Sequence, residues 1–183
     1  MKDWFCNASA FRAATMALAW VMLLAVGAGS VLPGGIARAA APEVNSQPLF
    51  AASFKDFDRK QQSLSQFKGK PMLVYFWATW CKSCKHEVPE LIALHNKYGS
   101  KLNVIGIAID NTDKVLEFAR QNKINYTLLL GSNDAIALSK QLGNSVGGLP
   151  FAVLVDAKGN IVQTLLGETP PGKFEELVRP LLS

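Results

Sequence analysis

Two cysteines three residues apart, Cys81 and Cys84, are the side chains in this sequence best suited to chemistry. Residues at this spacing share one face of a helix, so their sulfurs can form a disulfide without large backbone movement. The pair follows a short apolar run, which predicts that it lies where a buried strand gives way to a helix. Backbone N–H groups, the helix dipole and the charge of Lys82 would stabilise a thiolate at that N-terminus. We therefore expect Cys81 to be the nucleophile and Cys84 to be the resolving thiol.

Other interpretations of the cysteine pair are weaker. An inert structural disulfide would join residues only three apart and would constrain little of the unfolded chain. A metal site could add His86, but Cys81, Cys84 and His86 supply three ligands where structural zinc requires four. Covalent haem attachment needs histidine directly after the second cysteine, where this chain has Lys85. A Cu(I)-binding chaperone that uses Cys81, Cys84 and His86 stays as the alternative from another class of function.

Hydrophobic periodicity around the pair predicts alternating strands and helices, which is typical of an α/β sheet covered on both faces. The predicted strands are residues 49–54, 71–77, 102–109 and 127–130, then 151–156 and 160–166 as a hairpin around Ala157-Lys158-Gly159. The predicted helices are residues 82–98, a segment capped by Asn111 or Thr112, residues 134–142, and a last helix after Pro171. Apolar residues make up 49% of the 183, which is enough for the core of one ordinary domain.

The N-terminal residues predict export. Lys2 and Arg12 precede an uncharged apolar run, and Ala37-Arg38-Ala39 has the small-x-small form that a signal peptidase recognises. We expect a signal peptide or an N-terminal membrane anchor over residues 1–39, a short tether over 40–48 and a single domain over 49–183. Either alternative places the domain in the periplasm. It would be soluble after cleavage, or anchored to the inner membrane through the uncleaved N-terminal segment alone. Cleavage would also remove Cys6 and leave two cysteines.

Charge and cysteine content exclude two classes of protein. The net charge is +5, of which residues 1–39 carry +2, and this is too small and too mixed for a nucleic-acid binder. Three cysteines are too few for a small fold held together by several disulfides.

Several motifs carry a resemblance to a known family. They are Lys68-Gly69-Lys70, Phe76-Trp77-Ala78-Thr79-Trp80-Cys81 with Cys84, Glu87-x-Pro89-Glu90-Leu91, Gly148-Leu149-Pro150 and Asp156-Ala157-Lys158-Gly159. On these residues the chain resembles the thioredoxin superfamily, specifically the exported TlpA/ResA-type thiol-disulfide oxidoreductases with a redoxin, or AhpC-TSA-like, domain. The resemblance implies a thioredoxin-like α/β fold, with a central mixed β-sheet flanked by helices on both faces. It also implies a cis Leu149–Pro150 peptide that faces the cysteines and binds substrate, with Trp80 and Lys82 supporting the site.

Two positions depart from the family pattern. Thioredoxins carry a buried aspartate six residues before the first cysteine, where this chain has Tyr75, so a proton relay must lie elsewhere. Glu87 is the candidate relay, because it lies one helical turn beyond Cys84 and the family has an active-site glutamate there. Ser83 stands where many relatives have proline, and this leaves the redox potential open.

The resemblance implies an exported thiol-disulfide oxidoreductase that reduces disulfides in partner proteins and needs no organic or metal cofactor. In this family the partners are often apocytochrome c or proteins that assemble copper sites. A thiol carrier in the membrane would then supply the electrons. A disulfide oxidase or isomerase is the alternative within the same chemistry.

Overall fold

A seven-stranded mixed sheet forms the centre of the protein in the computed structural model, which describes residues 44–182. The strands are β1 (Ser53–Lys55), β2 (Gln61–Ser63), β3 (Met72–Trp77), β4 (Asn103–Ile109), β5 (Thr127–Gly131), β6 (Phe151–Val155) and β7 (Ile161–Leu166). Their spatial order is β2-β1-β5-β4-β3-β6-β7. The strands β3, β4 and β5 run parallel, and every other neighbouring pair is antiparallel. The mixed sheet that the family resemblance implies is confirmed.

Helices cover both faces of this sheet. They are α1 (Gln47–Ala51), α2 (Lys82–Tyr98), α3 (Thr112–Gln121), α4 (Asn133–Gln141) and α5 (Lys173–Val178), with 3-10 helices at Leu64–Phe67 and Arg179–Leu182. One apolar cluster joins the sheet to α2, α3 and α5, and the other joins it to α1 and α4. The predicted helix over residues 82–98 and the hairpin between β6 and β7 are confirmed. Asn111 caps α3 by accepting hydrogen bonds from two backbone N–H groups, as predicted.

The strand β3 is the centre of the core because all six of its side chains are buried. Alternate residues of a strand point to opposite faces. Leu73, Tyr75 and Trp77 accordingly belong to the cluster beneath α2, while the intervening side chains belong to the cluster beneath α4. Pairing with β4 on one side and β6 on the other holds the strand along its length. The position of Trp77, from which the chain continues towards the two cysteines, is therefore fixed by the sheet.

Gly106 leaves room for aromatic side chains at the middle of the sheet. It pairs with Tyr75 across the parallel ladder between β3 and β4. A Cβ atom at this position would lie 2.8 Å from Leu128 Cδ2, 3.0 Å from the Tyr126 ring and 3.2 Å from Trp77 Nε1. Any larger residue would therefore press on these three side chains, which belong to the same apolar cluster as Tyr75.

The N-terminal part of the described chain differs from the sequence prediction. The predicted strand over residues 49–54 is wrong, since α1 occupies Gln47–Ala51 and only Ser53–Lys55 forms a strand. Pro48 lies in the first turn of α1, where its fixed φ favours a helix. Because Leu49 is fully buried, the short helix is held against the core even though its apolar run also suits a strand. Gln47 and Pro48, predicted to end the tether, are thus part of the fold.

The predicted export segment, residues 1–39, lies outside the described residues. Within residues 44–182, no helix combines the length and the apolar character that crossing a bilayer requires.

Candidate redox-active site

The two cysteines lie where β3 ends and α2 begins. Cys81 is the N-cap of α2, and its sulfur accepts a hydrogen bond from the backbone N–H of Cys84 at 3.2 Å. The two residues form a disulfide, with their Cα atoms 5.3 Å apart. This is the position that the sequence predicts, because a residue three places into the helix returns to the face of its N-cap.

Exposure distinguishes the two sulfur-bearing residues. Cys81 is 7% exposed and Cys84 is fully buried. Trp80, directly before Cys81, is 67% exposed, and Lys82 lies exposed at the first position of α2. A partner that approaches the N-terminus of α2 therefore meets Trp80 and Cys81 before it can reach Cys84.

The loop before β6 lies at the same edge of the sheet as Cys81. Phe151 pairs with Phe76, so Pro150 lies beside the end of β3. The Leu149–Pro150 peptide is cis, as the resemblance implies, and Leu149 packs against the cluster that contains both cysteines.

Hydrogen bonds hold this loop in place. The side chain of Asn144, fully buried, donates to the carbonyl of Gly148 at 2.9 Å and accepts from its N–H at 3.1 Å. The N–H of Gly167 donates to the Pro150 carbonyl at 2.8 Å. Sequence reasoning did not identify Asn144, because its role depends on how the loop folds back on itself.

Glu87 is buried behind the cysteines, with only 4% of its surface exposed. The Tyr75 hydroxyl donates to Glu87 Oε2 at 2.6 Å, and the backbone N–H and hydroxyl of Thr169 donate to Oε1 at 2.7 and 2.6 Å. The Tyr75 hydroxyl also lies 3.4 Å from the carbonyl oxygen of Cys84. Burial, and then the hydrogen bond to Glu87, raise the pKa of Tyr75 far above its ordinary value, so it stays a neutral donor. The position where thioredoxins have aspartate thus provides a partner for Glu87.

Comparison with known proteins decides the family. The AhpC/TSA family pattern matches residues 39–164, a range that includes both cysteines, Glu87 and Pro150. The chain belongs to the AhpC/TSA family. It is 32% identical over 128 residues to the thiol-disulfide oxidoreductase ResA of Bacillus thuringiensis subsp. konkukian, covering 69% of this chain and 72% of that one.

Two further comparisons agree. The thioredoxin-like protein YneN of Bacillus subtilis is 29% identical over 128 residues, covering 68% of this chain and 72% of that one. The crystal structure of a thiol:disulfide interchange protein of the thioredoxin family from Chlorobium tepidum superposes with a TM-score of 0.66 at 25% identity. That superposition covers 72% of this chain and 93% of the other. The protein is therefore a TlpA/ResA-type thiol-disulfide oxidoreductase with a thioredoxin-like fold.

In this AhpC/TSA-family protein, Asp110 fixes the loop that carries Trp80 and Cys81. It follows β4, and its Oδ2 accepts hydrogen bonds from both the backbone N–H and the hydroxyl of Thr79. Burial opposes its ionisation, but the hydrogen bonds from Thr79 and the Asn111 N–H outweigh burial and hold the pKa of Asp110 below its ordinary value. Sequence reasoning missed Asp110. The available signal was an acidic residue after a parallel strand, at the edge where the neighbouring strand leads into the cysteines.

His86 pairs with Glu168 on the segment after β7. Its Nδ1 lies 3.0 Å from Glu168 Oε1, and both side chains are about half exposed. Hydrogen bonds from His86 and Ser83 hold the pKa of Glu168 below its ordinary value. Among residues 44–182, no three His, Cys, Asp or Glu side chains are grouped so that they could hold a metal ion. The ligand set of the copper-chaperone alternative is therefore not assembled in the disulfide form.

We predict that Asp110→Asn destabilises the protein at neutral pH. The change should lower the free energy of unfolding by about 1 kcal/mol, a modest value because solvent screens a half-buried carboxylate. Because the pKa of Asp110 is lower in the folded protein than in the unfolded chain, the ionised carboxylate stabilises the fold at pH values above the unfolded-state pKa, 3.8 for aspartate. This stabilisation is lost as the pH falls below 3.8 and through the folded-state pKa. Urea unfolding at several pH values should show the native and variant curves converging below that pH.

Asp58→Asn is the matched control, because Asp58 is exposed and has only a 3.6 Å ion pair with Lys60. It should leave stability almost unchanged. The difference in the free energy of unfolding between the native protein and Asp110→Asn should shrink at low pH. If it stays constant down to pH 3, the stabilisation does not come from the ionised carboxylate of Asp110.

Proposed function

We propose that this oxidoreductase reduces disulfides in exported protein partners, with Cys81 as the nucleophile and Cys84 as the resolving thiol. The observation that carries the proposal is the difference in exposure, since 7% of the Cys81 surface is open to solvent and none of the Cys84 surface is. A bulky protein disulfide can therefore be attacked only from Cys81. Cys84 needs no access to the partner, because its target is the neighbouring sulfur of Cys81.

The reaction begins with the reduced dithiol. The Cys81 thiolate attacks one sulfur of the partner disulfide, forms a mixed disulfide and displaces the other partner sulfur as a thiolate. Cys84 then attacks the sulfur of Cys81, which breaks the mixed disulfide and releases the second partner thiolate. Both electrons pass from the Cys81–Cys84 dithiol to the partner, and the protein is left as the disulfide seen in the structure.

The N-terminus of α2 favours the first step. The backbone N–H of Cys84 already donates to the Cys81 sulfur, and the free N–H groups of the first turn present partial positive charge. Lys82 and Lys85, both exposed, add positive charge to the same end of the helix. These groups stabilise the Cys81 thiolate both as nucleophile and as leaving group.

Exposed apolar side chains at the same end of the sheet as Cys81 suit a protein partner. Trp80, Val146 and Leu166 are 67%, 74% and 52% exposed. Val146 and Leu166 approach each other at Gly148, where a Cβ atom would lie 3.2 Å from Leu166 and 3.6 Å from Val146. Their neighbour Pro150 contributes the cis peptide. We infer that a partner chain binds across this surface, with its disulfide over Cys81.

Glu87 is the proposed proton acceptor for Cys84. A thiol must lose its proton to attack, and a positioned carboxylate can take that proton at neutral pH. Glu87 is one turn beyond Cys84 on the same helix and is linked to the Cys84 carbonyl through the Tyr75 hydroxyl. No external cofactor enters this reaction.

The reductive direction, the compartment and the partner class are inferred together from the family. Its relative in Bacillus thuringiensis is named thiol-disulfide oxidoreductase ResA. The N-terminal residues 1–39 have the pattern of a signal peptide or anchor, which suits action in the periplasm. A thiol carrier in the membrane would regenerate the dithiol, and the substrates would be cysteines of apocytochrome c or of copper-site assembly proteins.

The redox potential tests the direction. Equilibration of the native protein with glutathione or dithiothreitol buffers should give a value nearer to thioredoxin, at about −270 mV, than to the oxidant DsbA, at about −120 mV. A value at the oxidising end would instead assign the protein to disulfide oxidation or isomerisation.

Trapping in cells tests the roles of the two cysteines. Cys84→Ser leaves Cys81 able to attack but removes the resolving thiol, so mixed disulfides with partners should accumulate as bands that disappear on reduction. Cys81→Ser is the matched control and should capture no partner above the level of the native protein. Equal capture by both variants, or capture by neither, would show that the nucleophile is wrongly assigned.

A further inference from the structure

The two carboxylate oxygens of Glu87 have different partners. Oε1 accepts two hydrogen bonds from Thr169, one from the backbone N–H at 2.7 Å and one from the hydroxyl at 2.6 Å. Oε2 accepts one, from the Tyr75 hydroxyl at 2.6 Å. A carboxylate oxygen offers about two acceptor positions, so Oε1 is fully used and Oε2 has one position left. A proton that reaches Glu87 therefore has a place only on Oε2.

The Tyr75 hydroxyl has a second acceptor within reach. It lies 3.4 Å from the Cys84 carbonyl oxygen while it donates to Glu87 at 2.6 Å. A hydroxyl carries one hydrogen and can rotate it from one acceptor to another. If Oε2 becomes protonated, it can donate to the Tyr75 oxygen, and the tyrosine hydrogen is then free to turn towards Cys84. Both protonation states of Glu87 thus keep a complete set of hydrogen bonds.

We propose that Glu87 accepts the Cys84 proton on Oε2 and that Tyr75 is the positioning residue for this transfer. As the proton arrives, the Tyr75 hydroxyl stops donating to Glu87 and donates to the Cys84 carbonyl instead. The inference rests on the proposed role of Glu87 as proton acceptor. In the resolving step the Cys84 proton passes to Oε2, the bond between the two cysteine sulfurs forms, and the bond from Cys81 to the partner breaks. The partner sulfur leaves with the electron pair, and Glu87 later releases its proton to solvent.

The surroundings of Glu87 suit this role. The titratable groups near it are Cys84, His86 and Glu90 on α2, Tyr75 on β3, and Glu168 on the segment after β7, while Tyr126, before β5, acts electrostatically on Tyr75. Glu90 is occupied by the backbone N–H of Phe174 on α5, and Glu168 by His86. A cavity of about 260 Å³ lined by Glu87, Glu168 and Thr169 lies between α2 and the segment after β7. It gives the proton a route to solvent.

Tyr126 supplies a matched control. It is buried, its hydroxyl has no hydrogen-bond partner among the described residues, and burial raises its pKa. Like Tyr75, it packs in the cluster that contains both cysteines. Tyr75→Phe and Tyr126→Phe therefore remove the same atom from the same core, but only the first removes a contact with Glu87.

The test is stopped-flow reaction of the reduced full-length protein with Ellman's disulfide. Attack by Cys81 releases the first nitrothiobenzoate, and attack by Cys84 on the resulting mixed disulfide releases the second. At pH 7, Tyr75→Phe should slow the second release about tenfold, the cost of losing one hydrogen bond to a charged group, and should leave the first release at the native rate. The ratio of the native to the variant rate of second release should fall as the pH rises from 7 to 9.5, because hydroxide then removes thiol protons without the help of a base such as Glu87. Tyr126→Phe should match the native protein in both phases.

Glu87→Gln separates this inference from the proposed function. If Glu87→Gln slows the second release and Tyr75→Phe does not, the role of Tyr75 is overturned while the relay stands. If neither variant slows it, the relay itself is overturned. Three results would indicate a merely structural tyrosine and would also overturn the inference. They are equal slowing of both phases by Tyr75→Phe, the same slowing in Tyr126→Phe, and a Tyr75→Phe defect of the same size at pH 7 and pH 9.5.

Discussion

The N-terminus of α2 places two sulfurs of one short motif in different environments, and the rest of the site depends on that difference. Cys81, as the N-cap, keeps 7% of its surface exposed at the end of the helix where unpaired N–H groups gather, whereas Cys84 lies one turn further in and is fully buried. Because β3 is buried along its whole length, the point at which α2 begins is fixed by the sheet. A looser strand would let the helix end move, and the distinction between an attacking and a shielded sulfur would be lost.

Burial of Glu87 carries an energetic cost in this arrangement. An ionised carboxylate without partners is expensive in a protein interior, and three hydrogen bonds from β3 and from the segment after β7 offset that cost. The two hydrogen bonds from Thr169 also tie the C-terminal segment to α2 behind the cysteines. Asp110, which follows β4, likewise fixes a neighbouring segment, because it accepts a hydrogen bond from Thr79 in the loop before Cys81. Acidic residues thus fix the site from two directions.

The parts of this structure that the sequence predicts are those with local signals. The cysteine spacing, the apolar run before it and the helical periodicity after it lead to β3 and to α2 with its observed ends. The helix α1 was missed because a short apolar run after Pro48 suits a strand as well as a helix, and only burial of Leu49 against the core decides.

The partners of the site residues could not be predicted in the same way. Thr169 is 82 residues from Glu87, and Asp110 is 31 residues from Thr79, so each contact exists only once the sheet has formed. In the sequence, Tyr75 indicates only that the aspartate of thioredoxins is absent, since nothing in the chain near it indicates that its hydroxyl reaches Glu87.

The most direct test of this account is which sulfur reacts first. The reduced native protein is treated briefly with a limiting amount of iodoacetamide at pH 7, and the modified cysteine is located by peptide mass spectrometry. The account predicts that Cys81 carries the label and that Cys84 stays unmodified until the protein is unfolded. Modification of Cys84 as fast as Cys81, or faster, would contradict the division of roles between the two cysteines.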